Sequence, residues 1–280
     1  MPATAVSRGP LAAAGVELVG GIERDRSWEW LHLRGPDGHL YELASRRAGG
    51  AVPADAAARD AALRRLRGVL ERLLREGTAV ARSDGSLHQI FPVAVSAAEG
   101  EALRRWVVRE GSARTIEIGL GYAISALFVC EGLLANGSSR AGHLAVDPFQ
   151  ATRFAGCGLQ LLDEAGIAEL VEHHAEESQI VLPRLMSEGR SFDLAFVDGN
   201  HRFDGVFADL VSLGRLVRPG AIVFLDDYQL PAVARAASFF VANLGWTVEE
   251  VSPGDDVHQW AVLRTSALPD TRAFDDYVDF

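Results

Sequence analysis

The sequence predicts an α/β fold: a doubly wound, mostly parallel, seven-stranded sheet with a small N-terminal α+β appendage. Three observations carry this. From Thr115 to Arg264 short apolar runs alternate with helical stretches without long interruption, as in a parallel sheet covered on both faces. Several of those runs end in an acid. The first 90 residues have a different texture, so the expected division is 1–90 for the appendage and 91–280 for the main domain.

Residues 1–15 read as a leader of small residues. From Gly15 to Leu43, Val16, Leu18, Trp28, Trp30, Leu31 and Leu33 predict strands, and Gly35-Pro36-Asp37-Gly38 predicts a turn. The tryptophans are expected as core or interface anchors. Residues 47–55 read as a link, and Leu63, Leu66, Leu70, Leu73 and Leu74 at helical spacing predict a helix from Asp55 to Glu76, ended by Gly77. Ser96-x-x-Glu99 is a capping box that opens a helix with Leu103, Trp106 and Val107 on one face.

Thr115 to Ile118 is the first buried strand, followed by a glycine turn and a helix over Ile124 to Leu134. His143 to Asp147, Glu169 to His173 and Ser191 to Asp198 are the next strands, with a helix over Gly158 to Gly166. A helix over Val206 to Val217 leads through Pro219-Gly220 to a strand over Ala221 to Asp227. A helix over Pro231 to Leu244 and strands over Trp246 to Val251 and Gln259 to Arg264 complete the pattern before an acidic tail.

Composition narrows the function. A net charge of −11 leaves no basic stripe for nucleic acid. All 27 basic residues are arginine, which excludes a lysine base, a Schiff-base lysine and a P-loop. Cys130 and Cys157 have no metal-type spacing, so a reducing, cytoplasmic setting is expected. No apolar run approaches the ~18 residues of a membrane span.

The informative stretch runs from Thr115 to Ser125. Gly119 and Gly121 let the backbone turn sharply and approach a ligand. Glu117, two residues earlier, would repel a pyrophosphate but suits the sulfonium and ammonium of S-adenosylmethionine. Ser125 in the first turn of the helix is counted with the same set.

Acids close four strands: Glu117, Asp147, Asp198 and the pair Asp226-Asp227. On one sheet edge they would repel one another unless a cation stood among them. Asp147 lies 26 residues after Gly121, the distance expected of an acid on ribose hydroxyls. Asp198, Asp226 and Asp227 are a hard oxygen set suited to Mg²⁺, Mn²⁺ or Ca²⁺. His201, three residues past Asp198, is a candidate base beside them. His173 and His174 are read as structural.

From about Phe91 to Arg264 the chain resembles the class I S-adenosylmethionine-dependent methyltransferases, in their metal-dependent O-methyltransferase branch. That branch includes catechol O-methyltransferase and bacterial macrolide-sugar O-methyltransferases. Glu-x-Gly-x-Gly at 117–121 resembles the first motif, with Ala123 where a third glycine is usual. Glu177-Ser178-Gln179 resembles the adenine-contacting stretch, implicating Ser178 and Gln179. Asp193 to His201 resembles the fourth-strand motif, in which the terminal acid, Asp198 here, binds metal and the residue three on, His201, is the base. Arg218 to Asp227 resembles the fifth-strand motif, with Asp226 and Asp227 as further metal ligands.

The resemblance implies a Rossmann-like fold and an O-methyltransferase, with Mg²⁺ or a similar ion, acting on a hydroxylated small molecule of natural-product or antibiotic biosynthesis. It implies a cofactor set of Glu117, Gly119, Gly121, Ser125, Asp147, Ser178, Gln179 and Asp198. The partners expected are that small molecule and a second copy of the chain, with no nucleic acid and no membrane. Three alternatives stay open: a metal-independent methyltransferase of the same fold, an NAD-linked oxidoreductase, and a non-catalytic cofactor-binding subunit.

Overall fold

The computed structural model describes residues 17–24, 28–35, 37–46, 52, 53, 55–253 and 258–280. The expected leader at 1–15, Val16, Pro36 of the turn, most of the link, and the side chains of Trp28 and Leu43 lie outside the described residues. Contacts divide the chain into two units, 1–50 and 51–280.

The first unit holds an antiparallel sheet of β1 (Glu17–Arg24), β2 (Trp28–Arg34) and β3 (Leu40–Arg46), in that order. Leu18 pairs with Leu33 and Leu33 with Tyr41, while Leu31 is buried and Trp30 half-buried. No helix occurs among its described residues.

The leucine-striped helix expected in the appendage is α1 (Ala56–Glu76), and it belongs to the second unit. Asp55 caps it by accepting from the N–H of Ala57 and Ala58, and Gly77 closes it at φ 67°. Leu66, Leu70 and Leu73 enter the same core as Phe128 and Leu162, each burial contributing about 1.5–3 kcal/mol. By contacts the chain parts at Gly50, with α1 in the larger unit. Sequence periodicity shows which face of a helix is apolar, not what covers it.

A short antiparallel pair follows, β4 (Thr78–Val80) and β5 (Leu87–Gln89). Next come α2 (Ala97–Arg109), β6 (Arg114–Ile118), α3 (Ile124–Asn136), β7 (Gly142–Val146) and α4 (Cys157–Ala165). Then come β8 (Val171–His174), α5 (Ser178–Ser187), β9 (Phe192–Val197), α6 (Phe203–Leu216) and β10 (Val217–Leu225). The chain ends through α7 (Pro231–Leu244), β11 (Thr247–Val251) and β12 (Ala261–Arg264).

The large sheet has seven strands in the order β11-β12-β10-β9-β6-β7-β8. β10, β9, β6, β7 and β8 run parallel; β12 is antiparallel to both its neighbours. The chain leaves β6 toward β7 and β8, then returns to its other side with β9 and β10. This puts a topological switch point, where ligands bind, at the β6–β9 crevice.

Alternate residues of each strand face opposite layers. Ala145, Leu194, Phe196, Phe224 and Val262 face α1 to α4. Ile116, Ile118, Val146, Val197, Val223 and Leu225 face α5, α6 and α7. The tail returns onto α7, where the Phe280 ring lies 5.1 Å from that of Phe239.

Candidate active site

The parallel register fixes the site. Ile118 pairs with both Val146 and Val197, and Val197 with Leu225. The residues that follow, Gly119, Asp147, Asp198 and Asp226, therefore stand at one level along the sheet edge. Their amides continue the ladder: Gly119 N–H donates to Val146 O at 2.9 Å, Asp198 to Ile118 O at 2.9 Å and Asp226 to Val197 O at 3.0 Å.

Gly119 is required at this level. Its φ is 94°, and a Cβ there would fall 2.0 Å from the carbonyl oxygen of Asp198. Only a residue without a side chain lets β6 and β9 stay paired past their ends.

A cavity of about 450 Å³ opens over this edge, a volume suited to a cofactor-sized ligand. It is lined by Gly119, Gly121, Asp147, Ser178, Gln179, Asp198, His201, Asp226 and Asp227, all expected from the sequence. Pro92 to Val95 and Phe149 add apolar wall.

Glu117 and Ser125 do not line it. Glu117 lies inside β6, not after it, and strand alternation turns its side chain toward the α3 layer. There its Oε2 accepts from Ser125 Oγ at 2.9 Å, and its Oε1 faces His143 Nε2 at 3.2 Å. The pair braces the turn from behind.

Asp147 holds the turn from the front. Its Oδ2 accepts from Leu120 N–H at 3.2 Å, Gly121 N–H at 2.8 Å and Gln150 Nε2 at 2.9 Å. Its Oδ1 accepts from Phe149 N–H at 2.7 Å, which leaves that oxygen capacity for one more donor. Ser178 and Gln179 open α5, a helix the sequence did not reveal, and Asp209 of α6 is buried with neither carboxyl oxygen hydrogen-bonded among the described residues. Burial pushes the Asp209 carboxyl up to about 6.

The far end of the cavity is acidic. Burial pushes Asp198 up to about 8, helped by the charges of Asp227, Glu117 and Asp147. Asp226 is also raised, by burial and then by the charges of Asp198 and Asp227. Asp227 takes a left-handed φ of 52°, a strained choice for a non-glycine.

Two histidines stand among these acids. His201 Nε2 lies 3.3 Å from Asp198 Oδ1, and its Nδ1 lies 3.1 Å from Asp227 Oδ2. His258 Nδ1 and Gln229 Nε2 meet the other oxygen of Asp227, at 3.3 and 2.7 Å. His173 and His174 stay structural: His173 Nε2 lies 3.0 Å from the carbonyl oxygen of Asp147, and His174 Nε2 lies 2.9 Å from Glu172.

Sequence reasoning missed three residues here. Glu99 forms only half of its capping box: its N–H meets Ser96 Oγ at 3.1 Å, but its carboxyl is buried against Asp226. Burial, then the charges of Asp226 and Asp198, hold that carboxyl far above the carboxylate range. His258 and Arg153 line the cavity from loops whose sequence carries no periodic signal.

The residues as arranged do not fit a divalent ion. Among the described residues no three Asp, Glu, His or Cys side chains converge as ligands. The His201 ring stands between Asp198 and Asp227, where an ion shared by those two acids would sit.

Comparison with known proteins agrees with this geometry. Residues 116–228 match the family described as a methyltransferase domain. No curated protein matches the chain. Among solved structures, the S-adenosylmethionine complex of the O-methyltransferase TomG from Streptomyces achromogenes, involved in tomaymycin synthesis, is 22% identical. Its TM-score is 0.55, with 72% of this chain and 89% of that one covered. The O-methyltransferase from Bacillus cereus bound to S-adenosylhomocysteine is 16% identical with a TM-score of 0.56, covering 74% and 91%. The S-adenosylhomocysteine-bound methyltransferase PaMTH1 of Podospora anserina is 16% identical with a TM-score of 0.54, covering 78% and 99%. Residues 116–228 thus match a methyltransferase domain, and the strand order with the glycine turn at the sheet edge gives the chain the fold of these solved O-methyltransferases.

Proposed function

We propose that this enzyme methylates a hydroxyl of a small molecule, a phenol or a sugar of natural-product type, with His201 as the base. The observation that carries the reading is the His201 ring on the cavity wall, one-third exposed and flanked by Asp198 and Asp227. Bound S-adenosylmethionine supplies a methyl group on a sulfonium, an electrophile that needs only an oxygen nucleophile in line.

The chain's own residues do the rest. Gly119 and Gly121 would let the cofactor approach the backbone, Asp147 Oδ1 would accept from a ribose hydroxyl, and Ser178 and Gln179 would meet the adenine. Holding the two reactants in line supplies much of the rate. His201 takes the acceptor's proton as the O–C bond forms and the C–S bond breaks. Asp198 and Asp227 hold the ring in place and face the charge it gains. The acidic end disfavours an anionic acceptor, and Pro92, Val93 and Phe149 offer it an apolar face.

An NAD-linked oxidoreductase is disfavoured by the turn itself. The amides of Leu120 and Gly121, which a pyrophosphate would need, are taken by Asp147. A non-catalytic subunit would leave the His201 cluster without a use.

A divalent ion is the second reading. The raised carboxyls of Asp198 and Asp226 favour it, because a cation would relieve the burial of several acids together. It requires the His201 ring to leave its gap. Transfer of labelled methyl to a panel of phenols and sugars tests both readings. The base reading expects turnover to survive EDTA and to fall in His201→Ala, and the ion reading expects EDTA to abolish it. A homodimer and a cytoplasmic setting belong to the same proposal; light scattering tests the first. Among the described residues no helix is long and apolar enough to cross a membrane.

A further inference from the structure

We infer that Arg153 binds a carboxylate, that of the amino-acid arm of the cofactor. The inference rests on the S-adenosylmethionine reading of the cavity and adds a residue and a ligand group to it.

The cavity wall carries five acids, Asp147, Glu177, Asp198, Asp226 and Asp227. S-adenosylmethionine brings two positive groups, which suit that wall, and one α-carboxylate, which does not. A carboxylate placed among these charges is repelled unless a cation or free N–H donors receive it. Four of the five amides from Gly119 to Ala123 are not free to do so. Gly119 N–H donates to Val146 O, Leu120 and Gly121 N–H donate to Asp147, and Ala123 N–H donates to Leu120 O. The turn has thus spent these donors on Asp147 and on backbone carbonyls.

Arg153 is the one arginine among the lining residues. Among the described residues its guanidinium forms no ion pair; it lies over the Phe154 ring, 5.4 Å from the centroid. Arg82 and Arg184, by contrast, are committed to Asp163 and Glu176. Phe154 in turn packs edge-on against Tyr122 at 5.2 Å and lies 3.9 Å from where a Cβ of Gly121 would be. The guanidinium is therefore held beside the glycine turn, away from the acidic end, with its planar fork unpaired. Such a fork takes a carboxylate in two parallel hydrogen bonds. The stacking on Phe154 keeps it close to its working position while leaving its edge open.

The test compares two ligands that differ in the amino-acid arm. S-adenosylhomocysteine has it; 5′-methylthioadenosine keeps the adenosine and sulfur and lacks it. Calorimetric titration of the full chain should show that Arg153→Ala weakens S-adenosylhomocysteine about tenfold or more. It should leave 5′-methylthioadenosine unchanged, which also reports an intact fold. Arg153→Lys should recover part of the loss, because a point charge replaces the fork. Equal weakening of both ligands, or of neither, would overturn the inference while leaving the cofactor reading in place. A raised KM for the acceptor with unchanged S-adenosylhomocysteine binding would give the carboxylate to the acceptor and overturn it too. Wild-type protein that binds neither ligand would overturn the cofactor reading, and this inference with it.

Discussion

His201 Nδ1 lies 3.1 Å from Asp227 Oδ2, and the same ring meets Asp198 Oδ1 through its other nitrogen at 3.3 Å. One imidazole thus joins the ends of β9 and β10 through two acids that neighbour each other across the sheet. Asp227 is held at a left-handed φ of 52° and also receives His258 and Gln229. The two acids limit how the ring can turn, while its Nε2 makes no hydrogen bond of its own among the described residues. A base acting on a single hydroxyl needs that restraint.

Removing the ring should therefore cost rate and not binding. His201→Ala is expected to lower kcat by about 10²–10⁴, the usual worth of a positioned base, with S-adenosylhomocysteine affinity unchanged. Asp227→Asn should lower kcat too, and the double variant should be little worse than His201→Ala, because the two act as one unit. Additive losses in the cycle would separate Asp227 from the base.

Gly119 and Gly121 should respond very differently to alanine. At Gly119 a Cβ meets the Asp198 carbonyl at 2.0 Å, so Gly119→Ala must part β6 from β9. Urea denaturation should show a loss of about 3 kcal/mol or more. At Gly121 the nearest heavy atoms are Phe154 ring carbons at 3.9 Å. Only the left-handed φ of 51° is then unfavourable, and Gly121→Ala should cost about 1–2 kcal/mol.

These contrasts show what the sequence could convey. The glycine turn and the acids after β7, β9 and β10 were legible because a parallel sheet brings every strand's C-terminal end to one edge. Glu117 was misplaced by a single step of strand alternation: two residues before the turn is still inside β6. The capping box at Ser96 was read correctly at its backbone bond. Its glutamate turns away because α2 packs where Asp226 ends β10, and local spacing carries no sign of that. Arg153 and His258 sit in loops, where position is set by tertiary contacts and no period exists to betray them. The helix α1 was foreseen in length and face, and its leucines enter the core of the main unit, one of the two neighbours that such a stripe allows.

Glu99 should tolerate loss of its charge. Burial and the charges of Asp226 and Asp198 keep its proton on, so glutamine replaces it at nearly equal volume and equal charge. Glu99→Gln is expected to stay within about 1 kcal/mol of wild type in chemical denaturation at pH 7. A loss of about 3–5 kcal/mol, the scale for breaking a buried ion pair, would show that Glu99 is ionised and paired.

The same buried acids set how the ligand-free protein responds to pH. Asp198 has a folded value of about 8 and Asp209 of about 6, both raised above 3.8 chiefly by burial. An acid raised in this way binds its proton more tightly folded than unfolded. Its contribution is fully present below about pH 4 and is lost as pH rises through the folded value. The stability attributable to Asp209 should therefore be gone by slightly above pH 6, and that from Asp198 by slightly above pH 8. Glu110, lowered by its hydrogen bond to Arg264, works the other way, and its contribution is lost only as pH falls below the ordinary carboxylate range. Between pH 5 and 9 the raised acids dominate, so the urea midpoint should fall steadily across that window in EDTA-treated protein. Asp198→Asn should make the slope shallower throughout the window up to about pH 8, and Asp209→Asn only up to about pH 6. A midpoint that rises with pH across the window would mean these carboxyls are ionised in the folded cavity and paired with positive charge that EDTA does not remove.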